Sequence, residues 1–442
     1  VVSAEKKGKK QFLLAAVMVG LAVGSKFAAV LLFVPLLLAA WLIWRRKWWV
    51  WLGTAVLIAF AAFALTNPFA LLDFSCELIT PAVNLGPVQV PAFDWRSCFL
   101  DNIVTQGGMV RGEADFPFTR QYAGTRPFLY FIEMQLRWGM GPLLGLLAFA
   151  GLAWFTWNAF NKRQSSSFIL HPSSLILLSF LWPFFLSTGS FFVKFMRYLQ
   201  PITPLLMVMA AGLVWQLGRM RWRWGVTAVT LIFTTLFAWS FVHLYTDPHP
   251  WNAASLWVYE NVPPGTMILS EKWDDALPVS LDVDGKRRRR SEYANDELTW
   301  LSGTGENDNQ AKLAANLELL AGAEYLTIVS NRVYGVVPRL PQRYPLSSQY
   351  HQLLFDGKLG YELVYVNGRF PHLGNFYLKP DLFSWPDVTP PTAVTDYLNA
   401  FPGLTWGRAD ESFTVYDQPL TMIFKNTGRL TPAELGQQFD DG

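Results

Sequence analysis

The sequence predicts an α-helical polytopic membrane domain followed by a small α/β extracytoplasmic domain. Of its 442 residues 52% are hydrophobic and only 16% charged, with a mean hydropathy of +0.22. Soluble chains carry about 25% charge. The charges are also uneven, scarce before about residue 245 and common after it. Apolar runs of about 20 residues, matched to a hydrocarbon core of roughly 30 Å, fill the first part. That composition excludes disorder there, and 20 Trp with 34 Phe exceed what one soluble core usually absorbs.

The membrane domain is expected over residues 1–245. Two short apolar runs, Gln11 to Gly24 and Phe27 to Trp44, are separated by Ser25 and Lys26 and predict a helical hairpin over 11–44. The first would cover only about 21 Å as a helix. Spanning helices follow at about 48–66, 142–160, 168–187, 198–217 and 225–245, with a long exterior loop at 67–141. Pro201 and Pro204 fall in the first turns of the fourth of these, where proline costs a helix least.

Basic clusters set the orientation. Lys6, Lys7, Lys9 and Lys10 precede the hairpin, and Arg45, Arg46 and Lys47 follow it. Lys162 with Arg163, and Arg219 with Arg221 and Arg223, mark later turns. Counting crossings puts all four clusters on one side, the cytoplasm, and sends residues 246–442 outside. The chain begins Val-Val-Ser with no signal-peptide pattern, and reads as the C-terminal portion of a longer protein.

The tail changes period. Asn252 to Asn261 predicts a short helix against the membrane, Thr266 to Ser270 a buried strand, and Lys312 to Ala321 a helix. Tyr325 to Val329, Tyr361 to Val366 and Ser412 to Lys425 add strands, while the polar stretch Asp282 to Asn309 predicts a mobile loop. Alternating helices and strands point to a small α/β domain packed on the membrane part.

Few residues carry chemistry. Gly20-Leu-Ala-Val-Gly24-Ser25-Lys26 lacks the spacing and the strand–helix context of a phosphate loop, so a nucleotide site is excluded. Lys26 either snorkels to lipid phosphate or faces a cavity as the cation for a substrate phosphate. Lys194 and Arg197 stand three apart on the exterior side, against the positive-inside bias. They are interfacial anchors or a phosphate grip, with Arg two-pronged and Lys a point charge. In the outer loop Asp115, Gln121 and Tyr122, among aromatics such as Trp95, Phe116 and Phe118, fit either sugar contacts or an ordinary interfacial loop.

Cys76 and Cys98 either close that loop or remain two thiols. Asp274 and Asp275 are a strand-end site or solvated turn formers. Arg287 to Arg290 is a solvated charge run or a lipid-headgroup contact. The five His show no metal-ligand spacing, and basic residues sit at run ends rather than on one stripe, which argues against nucleic acid as partner.

Gly20–Leu38 (GLAVGSKFAAVLLFVPLLL), Gln121–Gly151 (QYAGTRPFLYFIEMQLRWGMGPLLGLLAFAG) and Lys194–Leu206 (KFMRYLQPITPLL) resemble the membrane portion of GT-C glycosyltransferases. The nearest likeness is to the bacterial protein O-mannosyltransferase-like, phospholipid-carrier-dependent family. WVYENVPPGTMILSEKWDDALP and SNRVYGVVPRLPQRYP resemble the external domain of uncharacterised bacterial members. The resemblance implies transfer of a sugar from a polyprenyl-phosphate-linked donor to a protein or lipid acceptor on the exterior face. It implies Arg197, Lys194 and, more weakly, Lys26 as donor-phosphate ligands. It also implies an acidic base in a first exterior loop lying upstream of Val1, so no catalytic base is assigned here. No cofactor signature is present, and the metal requirement stays open. The competing readings are a flippase or transporter of lipid-linked sugars, for which no internal repeat is found, and a membrane-anchored glycan-binding module.

Overall fold

A computed structural model describes residues 2–76, 78–80, 83–85, 88–91, 93–95, 97–160, 172–216 and 220–440. Helix α1 (Val2–Ser25) leads into a 3-10 stretch (Phe27–Leu32), α2 (Phe33–Trp44) and α3 (Trp48–Thr66). A short turn of helix, α4 (Phe69–Leu72), precedes strands β1 (Leu78–Thr80), β2 (Val83–Leu85), β3 (Val88–Val90) and β4 (Phe93–Trp95). Then come α5 (Cys98–Arg111), α6 (Leu129–Met134), α7 (Pro142–Phe160), α8 (Pro172–Gly189), α9 (Thr203–Trp215) and α10 (Met220–Val242).

The tail contains α11 (Pro250–Asn261), β5 (Met267–Glu271), β6 (Leu281–Val283), β7 (Lys286–Arg288) and β8 (Ala294–Leu298). After α12 (Gln310–Gly322) come β9 (Tyr325–Ile328), α13 (Tyr350–Phe355), β10 (Tyr361–Asn367), β11 (His372–Leu373) and β12 (Phe376–Pro380). The chain closes with α14 (Thr392–Asn399), β13 (Gly403–Gly407), β14 (Thr421–Asn426) and α15 (Pro432–Asp440).

Among the described residues, five helical stretches are long and apolar enough to cross a membrane. They are Phe27–Trp44, Trp48–Thr66, Pro142–Ala159, Met196–Trp215 and one beginning at Met220, with Ser174–Gly189 as a shorter apolar helix. Of the predicted spans, residues 168–171 and 217 lie outside the described residues, as do Lys162, Arg163 and Arg219 of the basic clusters. The side chains of Lys6, Lys7 and Trp95 lie outside them too.

The chain forms two compact units. The first comprises 1–114, 126–131 and 144–224; the second comprises 115–125, 132–143 and 225–442. Within the first, α1 packs along α3. Helix α1 is longer than its apolar run, because the helix continues through the lysine-bearing segment; 24 residues reach about 36 Å. Gly20 makes the approach possible, since a Cβ there would overlap the backbone of Ala59. Ala16, Ala55 and Ala59 are all buried. Gly20 is thus the close-approach point of a small-residue helix crossing, whereas Gly24 faces the side chains of Thr66 and Asn67.

The second unit is built on a five-stranded sheet of order β10-β14-β9-β5-β8. Strand β5 is parallel to β8 and β9, whereas β14 is antiparallel to β9 and β10. Alternation along β5 feeds two cores, as period-two side-chain geometry requires. Ile268 packs with Ala254 and Val258 of α11, and Leu269 packs with Leu317 and Leu320 of α12.

Two local expectations are corrected. Asp282 to Leu298 is not a loop, although 299–309 is: β6 and β7 form a hairpin around Asp284-Gly285, both at positive φ (49° and 78°), and β8 joins the main sheet. Asp-Gly is a strong two-residue hairpin signal, and the surrounding charge hid it. That charge is paired, Arg287 with Asp282 at 3.0 Å and Arg288 with Glu292 at 2.7 Å. Ser412 to Lys425 is strand only from Thr421; Ser412–Asp417 is a π-helical turn.

Candidate functional site

In the first unit the break between α1 and α2 places the most distinctive cation. Lys26 follows the last residue of α1 with an extended backbone (φ −154°, ψ 119°), so its side chain leaves the helix surface. It stands at the edge of a cavity of about 510 Å³. Phe27 and Leu31 of the 3-10 stretch, Ile103 and Val110 of α5, and Phe184 and Phe191 supply an apolar lining. Asn102, Gln106, Ser187 and Thr188 add polar points to the same wall.

Helix α5 is held from both ends. Ser97 caps its N-terminus by accepting from the Leu100 amide at 3.4 Å, and Gly112, in the left-handed region at φ 81°, closes its C-terminus. Cys98, the first residue of α5, is bonded to Cys76. The bridge settles the choice between a closed loop and two thiols, and ties the start of the cavity wall to the preceding segment.

The three predicted phosphate ligands fare differently. The Lys26 ammonium lies 5.2 Å from the centre of the Tyr198 ring, and Tyr198 also lines the cavity. Arg197 is exposed, its guanidinium 4.3 Å from the Phe195 ring, and its charge acts on Lys26. Arg197 does not line the cavity. Lys194 is buried and donates to the Phe192 carbonyl at 2.9 Å; it does not line the cavity. Tyr198, Asn102 and Gln106 were not singled out from sequence. Asn102 and Gln106 fall in α5, inside the segment read as an exterior loop, so no helical spacing pointed to them.

The predicted sugar or acceptor contacts belong to the second unit, and each is engaged in its packing. Asp115 receives Arg120 through Nε (3.0 Å) and Nη2 (2.8 Å), and also pairs with Arg343. Burial raises the Asp115 pKa, but the two arginines outweigh it and hold the carboxyl below its usual range. Arg120, 3% exposed, also donates to the Ser302 carbonyl and to the Tyr344 hydroxyl. Buried Gln121 donates to the Phe118 carbonyl at 3.2 Å and accepts from the Glu411 amide at 3.2 Å. Tyr122, 1% exposed, donates to Asp410 at 3.1 Å. These residues hold segment 115–125 to the rest of their unit.

At the carboxyl ends of β5 and β9 lies a second polar group. Ser330 donates to Asp274 at 2.5 Å, and the Glu271 carboxylate meets His351 at 2.8 Å with both side chains buried. Lost hydration pushes Asp274 up to about 6 and Glu411 up to about 8. The Arg332–Glu411 separation of 3.7 Å is too long for a hydrogen bond, so burial prevails over attraction. Asp275 is exposed. Among the described residues, no group of three or more His, Cys, Asp or Glu is placed to hold a metal ion.

Comparison with protein-family models, curated proteins and solved structures finds no match to this chain.

Proposed function

We propose that the chain belongs to a multi-pass membrane glycosyltransferase that takes its sugar from a polyprenyl-phosphate-linked donor. The acceptor is a protein or lipid on the exterior face. One observation carries this: an apolar cavity of about 510 Å³ with Lys26 at its edge, where the charge of Arg197 is also felt. An isoprenoid tail needs an apolar wall and its phosphate needs cations, and the two requirements meet here. As the glycosidic bond to phosphate breaks, negative charge grows on the departing oxygen. Fixed positive charge at that oxygen lowers the barrier.

The basic residues Arg45, Arg46 and Lys47 after α2, with Arg221 and Arg223 in α10, support a cytoplasmic placement of those turns. The Cys76–Cys98 bond supports an oxidising, exterior placement of the segment between α3 and α5.

The test is sugar transfer from a polyprenyl-phosphate sugar by the protein in liposomes, comparing wild type with Arg197→Ala and Lys26→Ala. Loss of transfer with membrane insertion preserved is the expected result. Undiminished transfer in both variants, or lipid translocation without transfer, overturns the proposal.

A further inference from the structure

The small sheet β11–β12–β13 has one face covered by the segment 398–401 and an apolar second face that is left partly open. Along β12 the side chains alternate. Tyr377 packs against Phe401 with ring centres 5.0 Å apart, and Lys379 donates to the carbonyls of Leu398 and Phe401 at 2.7 and 2.9 Å. Phe376 and Leu378 point the other way, beside Leu404 of β13, into a groove of about 290 Å³. A solvent-facing sheet surface ordinarily carries polar residues. Here Phe376 is 55% and Leu404 44% exposed.

The opposite wall of the groove is α10, through Phe233, Leu236 and Phe237. Leu236 is itself 49% exposed, so the groove runs without a break into the outer surface of this apolar helix. The sheet is fastened near the helix end, where His243 Nδ1 meets the His372 carbonyl at 2.7 Å and the two imidazoles stack at 4.9 Å. From His243 back to Phe233 is ten residues, about 15 Å of helix. Exposed Trp239 and Tyr245 flank the fastening point, as aromatics do at a membrane surface.

We propose that β11–β13 dips into the bilayer alongside α10, and that the groove takes a phospholipid acyl chain. This rests on α10 spanning the membrane. The occupant follows from continuity: lipid that covers the outer face of α10 meets no polar barrier before Phe376 and Leu404.

The experiment uses the full chain in phosphatidylcholine–phosphatidylglycerol nanodiscs. Because the native cysteines bond to each other, one introduced thiol can be labelled alone with an environment-sensitive fluorophore. The positions are Phe376→Cys, Leu231→Cys on the exposed face of α10, and Lys286→Cys on the β6–β7 hairpin. Leu404→Cys repeats the reading if the first variant misfolds. Nitroxides on the lipid chains should quench the labels at 376 and 231 alike, and should leave the label at 286 close to its unquenched intensity. Quenching at 231 with none at 376 overturns the inference and leaves the spanning helix standing, whether the label at 376 reports water or a protein cover. No quenching at 231 removes the spanning helix, and the inference with it.

Discussion

Replacing Lys26 with Gln removes one positive charge from the cavity edge while keeping most of the side-chain volume. A phosphate about 4 Å from the ammonium would gain about 4 kcal/mol at an effective dielectric of 20, and about 1 kcal/mol in bulk water. Lys26 is exposed, so the water-like limit weighs more, and about 1–2 kcal/mol is the expected loss. That is a roughly five- to thirtyfold weaker dissociation constant. The assay is competitive binding of polyprenyl phosphate to the protein in nanodiscs, with the uncharged polyprenol run in parallel. The phosphate should lose affinity and the alcohol should not, because the apolar wall is untouched. Added salt should shrink the difference between wild type and variant. Equal affinity for the phosphate in both proteins, or equal losses for phosphate and alcohol, refutes the charge argument.

Three further outcomes follow from the packing. Glu411 is neutral when folded up to about pH 8, yet ionises near 4.5 when unfolded. Between those values the unfolded chain holds fewer protons, so stability falls as pH rises, by up to about 1.4 kcal/mol per unit. Thermal unfolding followed by fluorescence should show this slope above pH 6, and Glu411→Gln should flatten it; an unchanged slope would contradict the burial argument. Gly20→Leu should separate α1 from α3 and sharply reduce the folded yield in detergent, whereas Gly53→Ala, with nothing near its Cβ, should not. Cys76→Ser opens a disulfide of sequence separation 22, and should lower stability to denaturant by about 3 kcal/mol in chain-entropy terms.

Much of the architecture is legible from the sequence because burial leaves a pattern. Run Trp48–Thr66 coincides with α3, and the predicted tail elements near 252–261, 312–321, 325–329 and 361–366 fall on α11, α12, β9 and β10. What escaped depends on partners far away in the chain. Arg120 looks like one more charge in a polar loop, yet it is buried by bonds to residues 182 and 224 positions later. The Gly20-x-x-x-Gly24 spacing invites a phosphate-loop comparison, and the part Gly20 plays in a helix crossing appears only when Ala59 is placed against it. Lys26 and Lys194 look alike as isolated membrane lysines. Backbone geometry separates them, because the extended residue after α1 releases one side chain to a cavity while the other turns inward to a carbonyl.

The most direct measurement is photocrosslinking of a diazirine-bearing polyprenyl phosphate to the protein in native-like bilayers, with labelled peptides mapped by mass spectrometry. Lipid density should concentrate on Phe27–Leu32 and on α5, and should be competed by unlabelled polyprenyl phosphate. Crosslinks spread evenly over the outer faces of α3 and α10, without competition, would contradict a lipid-phosphate site at Lys26.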